Sequence, residues 1–227
     1  MKSAIAADIA IITAGCAIPA FPASIINLGS LAGDNTSAYG INASGQVVGI
    51  SGVDALSHVF LYTGGVMYDK GRGVAYAINN FGNIVGTGPD FPHGFESSGG
   101  PTGGTVNYMG VLNDPTTNGG TPYAINDKGE VAGAITTGDI NTRLSYRGFV
   151  YTGGALQSLE PFGGGQDLLA FGINDNTEVV GAVTILDAAT NESDPQAFYA
   201  YNGSVTPLGT LGGKSSSASA INNSDRL

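Results

Sequence analysis

The stretch AINDKGEVAG, residues 124–133, holds an apolar run, a short polar link and a second apolar run closed by glycine. Its Asn126 and Gly129 are turn formers: Asn bonds its own backbone two residues on, and Gly accepts a positive φ. Two short β-type runs joined this way make a tight hairpin. The same arrangement recurs. Ile-Asn stands at 41–42, 78–79, 125–126, 173–174 and 221–222, spaced by 37, 47, 48 and 48 residues. After the first four come GQVVG (45–49), GNIVG (82–86), GEVAG (129–133) and TEVVG (177–181). In the fourth copy Thr177 replaces the turn glycine, and Asn176 is expected to take the left-handed position.

Two further runs complete each copy. One is centred on Phe60, Phe95, Phe149 or Phe198, and the other follows a Gly-Gly or Asn-Gly turn. IINLG (25–29) matches the last run and precedes the first full copy. Four antiparallel runs over about 40–48 residues match one blade of a β-propeller. The expectation is therefore an all-β chain, a propeller with four full repeats and a partial one over 24–227. A parallel β-helix is the rival, but its coils are shorter and need no hairpin here. Helical solenoids are excluded by the 37 glycines and the lack of a 3.6-residue period.

Composition narrows function. Apolar residues make up 42% and charged residues 11%, with a net charge of −10. The eight Lys and Arg do not cluster, which disfavours nucleic acid and anionic membrane as partners. A single cysteine, Cys16, rules out a disulfide or a Cys-based metal site within one chain.

The first 23 residues are read apart. Residues 3–20 are rich in Ala and Ile behind Lys2, and small residues follow, as in a secretion signal. Asp8 counts against this reading, and the run is too short and interrupted for a membrane span. Ala14-Gly15-Cys16 resembles the end of a bacterial lipobox, with Thr13 where Leu is preferred, so Cys16 is the candidate lipidation site.

Spacing between runs separates two faces. From the glycine that closes the second run to the Phe of the third, the distances are 11, 9, 16 and 17 residues. The first and third links stay short. In an antiparallel meander the variable links share one end, where repeat proteins commonly bind. The long links are expected at 134–146, 182–195, 100–123 and 160–170. Asp139, Asp187, Glu192 and Asp194 are their candidate binding residues, for a carbohydrate or protein partner. Carboxylates on loops can take Ca²⁺, but no loop of the EF-hand kind is present, so solvated surface is preferred. The absence of Trp weakens a lectin reading.

His58 and His93 occupy equivalent positions, where the other copies have Arg147 and Gln196. Neither of those can replace a metal-ligating imidazole, so both histidines are read as half-buried polar residues bonded to backbone. The four Phe are read as core. No G-x-S-x-G, phosphate-binding loop or H-E-x-x-H is present, no cofactor is implied and no catalytic residue stands out. Carboxylates from distant repeats could still form a polysaccharide hydrolase.

The pattern Ile-Asn-x-x-Gly-x-Val-Val-Gly followed by His58-Val59-Phe60-Leu61-Tyr62 resembles the HAF repeat of bacterial extracellular repeat proteins. The matching triplets are His93-Gly94-Phe95, Arg147-Gly148-Phe149 and Gln196-Ala197-Phe198, and the resemblance covers 25–227. It implies a secreted or surface location and brings no defined activity or catalytic residues. The fifth copy reaches only Ile221-Asn222 and five further residues. It has two readings: a five-bladed ring with one incomplete blade, or part of a larger propeller, with truncation preferred.

Overall fold

Valine- and threonine-rich runs between Asn-Gly and Gly-Gly turns leave the chain little choice but short antiparallel strands. The computed structural model describes residues 25–32, 35–53, 56–88, 94–98, 105–108, 117–139, 143–163, 165–187 and 192–224. Within them the chain is all-β, with four antiparallel sheets of four strands each. The first sheet contains β1 (Thr36–Ile41), β2 (Val47–Val53), β3 (Leu56–Thr63) and β4 (Val66–Arg72). The second contains β5 (Val74–Ile78), β6 (Ile84–Thr87), β7 (Gly94–Ser98) and β8 (Thr105–Tyr108). The third contains β9 (Thr117–Ile125), β10 (Val131–Asp139), β11 (Arg143–Thr152) and β12 (Ala155–Ser158). The fourth contains β13 (Asp167–Ile173), β14 (Val179–Asp187), β15 (Glu192–Tyr201) and β16 (Ser204–Pro207). Each sheet keeps its strands in chain order.

The core lies between consecutive sheets. Val48, Val59 and Leu61 of the first pack against Ala75, Ile78, Ile84 and Phe95 of the second. Val85 of the second joins Ile125, Val131, Ile135 and Phe149 of the third. Ala132, Val150 and Leu159 of the third meet Leu168, Ile173, Val183 and Phe198 of the fourth. Phe60, Phe95, Phe149 and Phe198 are all buried, as the sequence suggests, each contributing about 1.5–3 kcal/mol. The first strand of a sheet is the one that meets the sheet before it, through the contacts β2–β5, β6–β9 and β10–β13. Hence Ile78, Ile125 and Ile173 are 7–9% exposed, whereas Ile41, with no described sheet before it, is 70% exposed.

Two expectations need correction. The long links at 134–146 and 182–195 are mostly strand. β10 and β11 stay paired out to Asp139↔Arg143, and β14 and β15 out to Asp187↔Glu192. Their β-branched residues Ile135, Thr136, Thr137, Val183, Thr184 and Ile185 carry the ladder onward. The links at 100–123 and 160–170 likewise include β8, most of β9's length and the start of β13. Second, Thr177 and not Asn176 takes the left-handed backbone, at φ 64°. The turn places its positive φ where Gly45, Gly82 and Gly129 have it, at 73°, 82° and 77°, and this position outweighs residue preference. A hydrogen bond of 2.7 Å from the Thr177 hydroxyl to Glu130 Oε2 helps hold it there.

Candidate functional site

Each Ile-Asn turn is organised by one side chain. Asn126 Oδ1 accepts the N–H groups of Lys128 at 3.0 Å and Glu130 at 2.8 Å, which closes the turn between β9 and β10. Asn42, Asn79 and Asn174 do the same two and four residues on. The amide nitrogen is then left pointing sideways, toward the following turn. Asn42 Nδ2 donates to the carbonyl of Asn79 at 2.9 Å, and Asn79 to that of Asn126 at 3.0 Å. Asn126 in turn donates to Asn174 at 2.9 Å, and Asn174 to Asn222 at 3.0 Å.

A second line of bonds runs alongside. The N–H groups of Ala43, Asn80, Asp127 and Asp175 each donate, at 2.8 Å, to a side-chain oxygen one turn further on. The acceptors are Asn80, Asp127, Asp175 and Asn223, in that order. The ladder has a direction: donors face forward and acceptors face back. Ala43 opens it and has no side-chain acceptor of its own.

In three of the turns the side chain before the second strand completes the turn. Gln46 Oε1 and Glu130 Oε2 each accept from their own turn's asparagine Nδ2 at 2.7 Å, and Glu178 also pairs with Asn174. Burial raises the Glu130 carboxyl most. Hydrogen bonds from Thr177, Asn126 and Thr152, with the charge of Lys128, outweigh it and bring the group below its ordinary 4.5. Glu178 is also lowered, first by the Tyr199 hydroxyl and then by Asn174.

Together the five turns line one open cavity of about 300 Å³, from Ile41 to Asn223. Asp127 and Asp175 sit on it, but each already holds a backbone N–H and an asparagine amide. Among the described residues no three His, Cys, Asp or Glu side chains are grouped to hold a metal ion.

A row of rings stands farther along the first strands. Tyr39, Tyr76, Tyr123 and Phe171 each lie two residues before the turn isoleucine. In every case the ring-bearing residue is the extra one in a β-bulge. Ring centroids are 6.3, 5.9 and 5.4 Å apart along the row. Burial, then the Tyr76 and Tyr146 phenols, push the Tyr123 hydroxyl above its ordinary 10.0, against a hydrogen bond with Thr121. The recurring aromatic-x-Ile-Asn spacing was the available signal in the sequence.

The residues singled out from sequence lie elsewhere. Asp139 ends β10, Asp187 ends β14 and Glu192 begins β15, while Asp194 pairs with Ile185. They sit at the hairpin ends remote from the turns, on two different sheets. His58 is half-buried, as expected, but its Nδ1 lies 3.0 Å from the Asp69 carboxylate and its ring is not held by backbone. His93 and Cys16 lie outside the described residues. No helix among the described residues is long and apolar enough to cross a membrane. No family model matches the chain, and no curated protein matches it.

Proposed function

We propose that this chain is a secreted or cell-surface, non-enzymatic module with a binding or structural role, its four sheets being blades of a β-propeller. The propeller reading draws on the serial packing of each sheet on the next and on five turns facing one cavity. Location draws on the resemblance to HAF repeats and on the apolar residues 3–20, with Cys16 as the lipid attachment point.

The observation that carries a binding role is the reach of two hairpins. Pairing runs six residues past the glycines at 133 and 181, but only one past Gly86. At about 3.4 Å per residue the last pairs of β10–β11 and β14–β15 lie roughly 17 Å beyond the last described pair of β6–β7. Stiff paired projections cost less ordering on binding than loops of equal length. A protein or carbohydrate partner is the ligand class they suit. Replacing 136–146 and 184–195 by two-residue turns, then comparing glycan-array and surface-protein binding with the full chain, tests this. Loss of binding with an unchanged melting temperature is the expected result, and retained binding sinks the reading.

A polysaccharide hydrolase is the second reading, because Asp127 and Asp175 face the cavity. It has weaker support, since the oxygens of both are engaged in the turns and a catalytic acid or nucleophile needs one free for substrate.

A further inference from the structure

A second cavity, of about 140 Å³, opens between the third and fourth sheets, beside the Asn202-Gly203 turn that joins β15 to β16. Its floor is Val150, Leu159, Val179 and Ala200, all buried. Gln157 and Tyr201 stand exposed at its rim.

The repeat shows what stands in this place at the first two sheets. Val150 lies directly opposite Gln157, as Leu61 lies opposite Tyr68. Directly opposed residues share a face of the sheet. Leu61 packs on the second sheet, so the Tyr68 ring is on that side too, and it is half-buried. Across the gap, Val179 stands five residues after Asn174, as Ile84 stands five after Asn79. Three side chains are therefore cut back between the third and fourth sheets. Leu61 and Ile84 give way to valines one carbon shorter, and the Tyr68 ring gives way to the Gln157 amide.

The space left has the size of the missing ring. A cavity of about 150 Å³ with apolar walls holds one benzene ring. Sites for whole small molecules run to about 300–1,000 Å³, so this one seats a single group whose remainder lies outside. Aromatic side chains seated in such pockets are the usual anchors between proteins.

We propose that the cleft between the third and fourth sheets is a docking pocket for one tyrosine side chain presented by a partner protein. Its ring takes the place that Tyr68 holds beside Leu61, over the apolar floor and against Tyr201. Its hydroxyl reaches the rim, where Gln157 and Asn202 carry amides. The pocket lies at the end of β15 opposite the β14–β15 hairpin tip and stands or falls independently of it.

The probe is N-acetyl-tyrosinamide, with N-acetyl-leucinamide as an apolar control that lacks a flat ring. Each is titrated into the full chain and into Gln157→Tyr, and followed by NMR at the methyl groups of Val150, Val179 and Ala200. The tyrosine compound is expected to bind the parent with a dissociation constant of about 10 mM or below, with Overhauser contacts from its ring to the Val150 and Val179 methyls. The leucine compound is expected to bind at least about fivefold more weakly. Gln157→Tyr, which supplies the ring itself, is expected to bind neither. An absence of ring-to-methyl contacts in the parent overturns the proposal, and that measurement decides even where the variant does not fold. Equal binding of the two compounds, or undiminished binding by Gln157→Tyr, also overturns it. Shifts of these methyls that grow with protein concentration, without any compound, assign the pocket to a second copy and overturn a different partner.

Discussion

Replacing Asn126 tests whether one side chain both shapes a turn and couples two sheets. Its Oδ1 accepts two N–H groups of its own turn, and its Nδ2 donates at 2.7 Å to Glu130 and at 2.9 Å to the carbonyl of Asn174. Asn126 is 5% exposed, so water reaches these partners poorly. Asn126→Ala removes four hydrogen bonds at about 0.5–1.5 kcal/mol each and strands buried partners, for a loss of about 3–5 kcal/mol. That is a large share of the about 5–15 kcal/mol typical of a domain. Asn126→Asp is the sharper variant. It keeps both acceptor bonds but turns an oxygen toward Glu130 Oε2 and toward the Asn174 carbonyl. Two carboxylates so close favour holding one proton between them, which raises the pKa of the pair in the folded state. The folded form then binds more protons than the unfolded one, so this variant gains stability as pH falls from 7 toward 5. Urea titrations between pH 7 and pH 5 give both quantities. A loss below about 1 kcal/mol for the alanine variant, or an aspartate variant whose stability does not rise on acidification, refutes the reasoning.

Other expectations are simpler to check. Gly181→Ala is expected to cost about 2–3 kcal/mol, since the added Cβ falls 1.9 Å from the Leu169 carbonyl and 2.8 Å from the Phe198 ring. Gly153→Ala, with φ 58° and no atom within 4 Å, should cost only about 1–2 kcal/mol of backbone strain. Equal denaturation midpoints for the two would remove the close-approach explanation. The carboxyls of Glu130 and Glu178 are lowered in the folded protein, so their contribution is present above the unfolded value near 4.5 and is lost as pH falls through the folded one. Glu130→Gln combined with Glu178→Gln should flatten that acid limb while costing little at pH 7, because Gln46 already fills the same place in the first turn. Melting temperatures from pH 3 to 7 decide this, and an acid limb as steep as the parent's counts against it.

Much of the fold was legible because it is local. Turn chemistry at Asn126 and Gly129, and alternation either side of it, are read within ten residues. The buried Phe60 and Phe198 follow from the same pattern. What the sequence concealed has four physical origins. Residue counts between Gly133 and Phe149 report length but not conformation, so a hairpin continuing to Asp139 looked like a loop. Tyr76 and Tyr123 sit at bulges, where the two-residue period breaks and side-chain direction is lost to pattern reading. The bond from Asn79 to Asn126 spans 47 residues, and an asparagine that forms a turn shows no sign in sequence of its second partner. At Thr177 local preference pointed to a neighbour, and the register of the whole turn prevailed.

Because the backbone N–H donors of the ladder all face forward, the sheets are not interchangeable parts. A duplicated middle segment, such as the one from Asn79 to Ile125, would bring both an acceptor for the turn before it and a donor for the turn after it, and could be spliced in without breaking the line. The segment that begins at Ala43 could not, since it offers nothing to the N–H behind it. Lengthening or reordering this chain by recombination thus keeps every bond at interior junctions and loses one, about 0.5–1.5 kcal/mol, wherever Ala43 follows, a grammar written by a single methyl group.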